Sequence, residues 1–592
     1  MTPSDHRPHM LRTWLLPLSI LLGCALAVFL LLFWIDAAGE QHPLAALRLF
    51  FQPNPDSAMG TLSNAAEVVA AVLAIAITVV AIVVELAANR YTHRITELFV
   101  AEPTNFVVMG FFVVTALICL WVSLTFDVSG PEATGFVPYV GTGVAMLMLA
   151  LCLLLLLPYF AFVFTFLSPV QIVERIRRHT IDEIRAGRRA DGPVTARQRE
   201  AVRGVEQLAD VGLNAMENKD KGVSMASANA LCAMILDYER LRGELPDGWF
   251  RVEGELANNP DFVSMAPTVL EDVSRRRIWL EMKVLRQYQT IYNEALNRMR
   301  DMNYLIAINT RTIAEEAMKR GHPELFDLVV KFFNTFLRAT VNARDVRTAY
   351  NVLNQYRLLA ENVLDRDPAK AVEIARYFKY YGLTSYGAKL PFILETVAYD
   401  LCTLNERAFD RGSPAARELL KIFLEVDKES ESEVQEASLR GVRKAQIKLA
   451  THYLQHGAVD RARMVYEDMK GERPERLASI RDELLGVRSS EFWEISDRGV
   501  NFDYLPPERK QQLMTFFEWF GDRLPPPRRS RLPSDPPAAA VQPPAVAAKR
   551  PRRAAADASL HDVPGAGLDP ATEDEEEEEG DAAPGQAPGR LR

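Results

Sequence analysis

Cysteine is scarce, five residues in 592, and this excludes a disulfide-stapled secreted fold. Cys24, Cys119 and Cys152 lie inside apolar runs, and Cys232 and Cys402 are far apart. No Cys/His spacing of a zinc site occurs. Also lacking are a GxxxxGK[ST] phosphate loop, a GxGxxG after a strand, a GxSxG elbow and an HExxH helix. No cofactor and no enzymatic reaction are therefore expected. Neither sign of charge dominates: 68 Lys and Arg stand against 77 Asp and Glu, a net −9. Yet a mean hydropathy of −0.04 is high for a chain with 24% charged residues. That value results when a very apolar segment is averaged with a polar remainder.

Long apolar runs are what is present. Four fill the segment 13–168, predicting transmembrane helices at about 14–34, 66–88, 106–126 and 137–166. The first runs between Trp14 and Trp34, and twenty residue steps give about 30 Å, the thickness of a bilayer's hydrocarbon core. A signal peptide is the competing reading, but this apolar run exceeds the roughly 7–15 residues of such segments. In the fourth run, Pro158 is a candidate kink, and the aromatic band Tyr159 to Phe166 reads as an interfacial anchor.

The short loops set the expected orientation. Residues 36–61 carry only Arg48 as a base, and residues 127–136 carry none. Arg90 and Arg94 follow the second run, and Arg175, Arg177, Arg178, Arg185, Arg188 and Arg189 follow the fourth. The excess of bases places both termini, including residues 1–12, on the cytoplasmic side of the plasma membrane. The spans hold no ionisable group near their centres. Glu67 and Glu85 sit at the two ends of the second, which makes Glu85 the one candidate ion or proton residue, with an interfacial acid as the simpler reading. Ala66, Ala70, Ala74 and Thr78, and again Gly141 and Ala145, are spaced for close helix packing, within one chain or between copies.

From 169 to 522 the residue types are those of helices. In the juxtamembrane region 169–320, Ile172, Ile176 and Ile184 mark an amphipathic helix. Its Arg175, Arg177 and Arg178 are candidate contacts to anionic headgroups. Trp249 to Val252 read as a short strand within a loop. A long helix is expected from Val269 to Arg320, with a seven-residue recurrence of Ile278, Leu285, Tyr292, Met299, Ile306 and Ile313. That stripe either packs inside its own domain or forms a coiled-coil seam. Residues 321–522 form a helical-hairpin domain, and 345–380 and 398–425 read as paired helices. Asp365 and Asp367 precede Pro368 as acids at a helix start. His452 and His456 are spaced to face one way on a helix, but no carboxylate or thiol is evidently aligned with them, so no metal is expected. The segment 523–592 is a Pro/Ala-rich tail, basic then acidic, with too little apolar content to fold. Without aromatics to stack bases, it is not expected to bind nucleic acid.

Two resemblances add to this reading. Around 445–475, Leu449, Ala450, Tyr453, Gly457, Ala462, Tyr466, Met469 and Pro474 occupy spacings that resemble the tetratricopeptide repeat, with Gln446 at the place of its Trp. The resemblance implies a hairpin with a turn at Gly457, a close approach at Ala462, an interface filled by Tyr453 and Tyr466, and protein binding. In about the first 240 residues, AIAITVVAIVVELAANRYTHRITELF, LPYFAFVFTFL and QLADVGLNAM resemble a bacterial family of uncharacterised four-helix membrane proteins. That resemblance implies no reaction and assigns no site residue. The expectation is an all-α protein: four membrane helices, a cytosolic helical domain and a disordered tail. It would serve as a scaffold or sensor touching lipid and an unidentified protein partner. The alternative is an oligomeric channel or transporter gated by its cytosolic domain.

Overall fold

The apolar runs form long helices because nothing within them competes for the backbone hydrogen bonds that lipid cannot satisfy. The computed structural model describes residues 6–37, 55–90, 96, 99–100, 102–126, 136–187, 194–427, 439–491, 495 and 497–526. All of these fall in one unit, Met1–Arg528. The tail reading from residue 527 onward lies outside the described residues, as does the loop 127–135 used for orientation.

The membrane part consists of α1 (His6–Ala37), α2 (Pro55–Arg90), α3 (Pro103–Leu124) and α4 (Tyr139–Phe166). The last three are long and apolar enough to cross a bilayer, and α1 contains the apolar stretch Leu22–Ile35. The chain is thus an all-α membrane protein with three to four apolar helices at its start. α2 begins earlier than expected, at Pro55 within the supposed loop 36–61. Pro55 occupies the first helical turn and Asp56 follows it, the residues that favour a helix start. α2 packs along α3, and α3 along α4. Gly141 permits the second contact, since a Cβ there would lie 3.2 Å from the Val122 side chain.

After the turn Leu167-Ser168 come α5 (Pro169–Ala186), α6 (Val194–Glu217) and α7 (Lys221–Leu241), packed on one another. Trp249 and Phe250 lie in a short 3-10 turn, Asp247–Phe250, not in a strand. The Trp249 amide donates to the Pro246 carbonyl at 2.9 Å, closing the turn before any strand partner is met. The expected long helix is three: α8 (Pro267–Arg276), α9 (Trp279–Arg298) and α10 (Arg300–Arg320). Arg277 breaks it with φ +59 and Met299 with φ −151. Ile278, Leu285, Tyr292, Ile306 and Ile313 are buried within the domain, so the stripe is internal packing and not a seam for a second chain.

The rest is a series of helices: α11 (Pro323–Asn342), α12 (Val346–Val363), α13 (Pro368–Gly387), α14 (Pro391–Asp410), α15 (Ala416–Leu424), α16 (Arg440–Gln455), α17 (Val459–Met469), α18 (Pro474–Gly486) and α19 (Pro507–Glu518). Caps fix several starts. Asp367 accepts the Lys370 amide at 3.2 Å, and Asp345 accepts the Thr348 amide at 3.1 Å while pairing with Arg300 at 2.9 Å. Replacing Asp345 with Ala is expected to lower the stability of this domain by about 1–2 kcal/mol. Denaturation followed by tryptophan fluorescence would show it, and an unchanged midpoint would contradict the capping role.

Asp427, just beyond α15, is buried against Arg443, whose Nη1 lies 2.7 Å from its carboxylate. Burial pushes the carboxyl up to about 6 in spite of that arginine. The folded chain then holds a proton that the unfolded chain has released, so stability falls as pH rises from about 4 through 6. At about 1.4 kcal/mol per pKa unit, Asp427→Asn is expected to raise stability at pH 8 by about 1–3 kcal/mol. It should also flatten that slope. Unfolding at pH 4, 6 and 8 measures this, and a variant with the wild-type slope would contradict it.

Candidate functional site

The membrane and helical parts share one apolar core, and their junction is built from aromatics. α4 runs through Pro158 without a break to Phe166. Phe166 meets Phe99 edge-on at 5.3 Å and carries the Arg175 guanidinium 3.6 Å above its ring. Burial holds the Arg175 guanidinium below its usual range, and the Glu102 charge opposes that shift. Ile172 and Ile176 continue the same core into α5. Among the candidate headgroup contacts, Arg175 is therefore folded back on the end of α4. Arg177 points inward, bonded to Glu174 at 2.7 Å and to Asp237. Arg178 is exposed and pairs with Glu174 at 2.6 Å. The three do not form a common basic face.

Glu85 is exposed near the end of α2, and Glu67 is exposed near its middle. Eighteen residues of helix separate them by about 27 Å, close to the hydrocarbon thickness. Between them Ala71, Ala74, Thr78 and Ala81 share their face and are exposed, while Ala66 is half-buried. Ala145, from the other small-residue pair, is fully buried against α3.

The hairpin of α16 and α17 forms where its residues predict it. Gly457 turns the chain at φ +71, Ala462 and Tyr453 are fully buried, and the Tyr453 ring meets Phe409 at 5.1 Å. The repeat-like spacing expects Pro474 to stop the second helix, and it does not. α17 ends at Met469, and Pro474 opens α18. Gln446 is fully buried, accepting from Arg443 at 2.9 Å. Tyr466 is covered by Trp519 and Phe520, with ring centroids 5.8 and 4.8 Å away. Tyr453 and Ala462 thus form the hairpin's interior, and its Tyr466 side is occupied by the chain's own C-terminal helical segment.

Among the described residues, two groups of side chains bring His and carboxylates together. The first answers the His452/His456 pair: Asp410, from α14, is aligned with it after all, 2.7 Å from His452 Nε2. Arg509 Nη2 reaches His452 Nδ1 at 2.6 Å. A guanidinium only donates, so Nδ1 accepts and Nε2 carries the proton that Asp410 receives. Burial holds His452 below the ordinary imidazole range despite Glu406 and Asp410. In that tautomer neither ring nitrogen has a lone pair for a metal. The second group is Glu239, Glu281 and His322, at the ends of α7, α9 and α11, all three buried. His322 Nδ1 lies 3.1 Å from Glu239 Oε2. Burial, and then the Glu239 charge, push the Glu281 carboxyl well above the ordinary range.

Residues 11–229 match the family model DUF2254, described as a predicted membrane protein. No curated protein and no solved structure matches the chain. The DUF2254 match takes in all four apolar helices and ends within α7. The aromatic junction and the α5–α6 layer therefore lie inside the DUF2254 segment. The hairpin and both His-carboxylate groups lie wholly beyond it. Sequence spacing missed Asp410, Arg509 and the Glu239 group, because their members come from helices far apart along the chain.

Proposed function

We propose that this protein works by contact: its apolar helices hold a cytosolic helical domain against the plasma membrane, where it serves as a scaffold or sensor for a protein partner. The observation that carries this reading is the core shared across Phe166, Ile172 and Ile176. It makes the helical domain an extension of the membrane helices, so a change in one is felt by the other. Both termini lie in the cytosol on the positive-inside argument, and the helical domain supplies the surface for the partner. The chemistry is recognition, without bond making or breaking. A photo-crosslinking residue at exposed Tyr380 or Val459 of the full chain in cells is expected to yield an adduct of one defined mass. Crosslinks distributed at random over abundant proteins would contradict the reading.

A second reading, an oligomeric channel, is favoured by one feature. The α2 stripe of Glu67, Ala71, Ala74, Thr78, Ala81 and Glu85 carries no large apolar side chain of its own, is flanked by exposed Ile75 and Ile82, and is left uncovered by the described residues. Such a face suits a neighbouring helix or a polar path better than lipid. Reconstituted vesicles separate the two readings. The first expects no ion flux above that of empty vesicles, and a flux abolished by Glu85→Gln would replace it with the second.

A further inference from the structure

We infer that Glu239, Glu281 and His322 form a binding site for one first-row divalent cation, buried where α7, α9 and α11 converge. Each offers a donor atom, and these atoms lie within 4.8 Å of one another. The atoms are buried and short of donors: Glu239 Oε1, both Glu281 carboxylate oxygens and His322 Nε2 have no hydrogen-bond partner unless Glu281 keeps a proton and shares it with Glu239. Glu281 is fully buried and His322 is 5% exposed. Unsatisfied acceptors at such depth are rare in folded chains.

The number of orphaned atoms favours a cation over a proton. A proton on Glu281 shared with Glu239 Oε1 would satisfy one oxygen of each residue. It would leave a Glu281 oxygen with only Arg242 Nε, 3.7 Å away, and His322 Nε2 with only the Glu324 carboxylate, 4.0 Å away, both too long for a hydrogen bond. A cation accepts lone pairs from all three residues at once. The histidine tautomer agrees, in contrast to His452: Nδ1 can donate to Glu239 Oε2, which frees the Nε2 lone pair. A carboxylate on the second ring nitrogen is the usual support of a metal-binding histidine. Glu324, its side chain 43% exposed, lies 4.0 Å from Nε2, within reach of a cation bound there. Arg242 completes the surroundings. Its Nε is 3.7 Å from Glu281 and its Nη2 is tied to the Arg276 carbonyl at 3.3 Å. Three carboxylates, this guanidinium and a divalent cation sum to zero charge. A set of carboxylates with one imidazole and no thiolate suits Mn²⁺, Fe²⁺ or Zn²⁺ and disfavours Cu⁺.

The test uses the full chain, purified in detergent and stripped with chelator, titrated calorimetrically with Mn²⁺ and then with Zn²⁺. One saturable site per chain is expected, with a rise in melting temperature on loading. Glu281→Gln should weaken binding at least 100-fold, and Glu324→Gln about tenfold. His456→Ala, in the other cluster, should leave it unchanged. Circular dichroism of each stripped variant checks that it folds. If His322→Ala fails to fold, the Glu281 and Glu324 variants carry the test. Absence of saturable binding would overturn the proposal. So would binding indifferent to Glu281→Gln, or a Glu281→Gln chain that melts higher than wild type with no metal bound, the signature of a shared proton.

Discussion

Arg498→Ala is expected to destabilise the helical domain by about 3 kcal/mol, because it takes from a buried carboxylate its two-pronged partner and leaves it one weaker ion pair. Arg498 donates to the two Asp400 oxygens at 2.6 and 3.2 Å, donates to the Tyr350 carbonyl, and stacks on the Tyr350 ring at 4.1 Å. Asp400 is 1% exposed, and Arg357 at 3.2 Å would be left as its remaining ion-pair partner. The residue sits in the segment between α18 and α19, which the arginine ties to α12 and α14. The pair Asp400→Asn with Arg498→Met should recover part of the loss, since no charge is then orphaned. Denaturant unfolding of the full chain measures both. A single variant within about 0.5 kcal/mol of wild type, the range of ordinary surface changes, would contradict the role assigned to this contact.

Gly204→Ala is expected to cost about 1–3 kcal/mol by overpacking the crossing of α5 and α6. A Cβ on Gly204 would lie 1.9 Å from Thr180 Oγ1 and 2.9 Å from Thr180 Cβ. A side-chain rotation could relieve the first contact but not the second, so the helices must part. Thr180→Ala in the same chain should restore part of the stability by removing the hydroxyl and methyl, leaving only the 2.9 Å Cβ contact. Gly204→Leu should do more damage than alanine. Because α5 continues the membrane core, the loss should appear as earlier release of the helical domain while the apolar helices stay in detergent. An unchanged unfolding midpoint in Gly204→Ala would show that the crossing is looser than described.

The apolar helices were legible because hydropathy alone forces them: lipid leaves a polypeptide few alternatives. Their ends were less so. Pro55 and Asp56 are helix-start residues, yet they follow a polar stretch that reads as loop. The hairpin at Gly457 was legible because the turn needs a residue at positive φ and the crossing needs a small one at Ala462. The breaks at Arg277 and Met299 were not, since neither residue is a glycine or proline and tertiary packing decides them. The same limit explains the basic residues after α4: helical spacing shows Arg175, Arg177 and Arg178, but not that Phe166 and Asp237 take two of them inward. Least legible of all was the Glu239 group, whose three members only the packing of α7, α9 and α11 brings together.

Protease added to intact spheroplasts and, separately, to inverted membrane vesicles tests the central claim most directly, with the released peptides assigned by mass spectrometry. Peptides from residues 194–526 are predicted to appear only from inverted vesicles, with the apolar helices retained in the membrane pellet. Their release from intact spheroplasts, or extraction of the whole chain by alkaline carbonate, would contradict it.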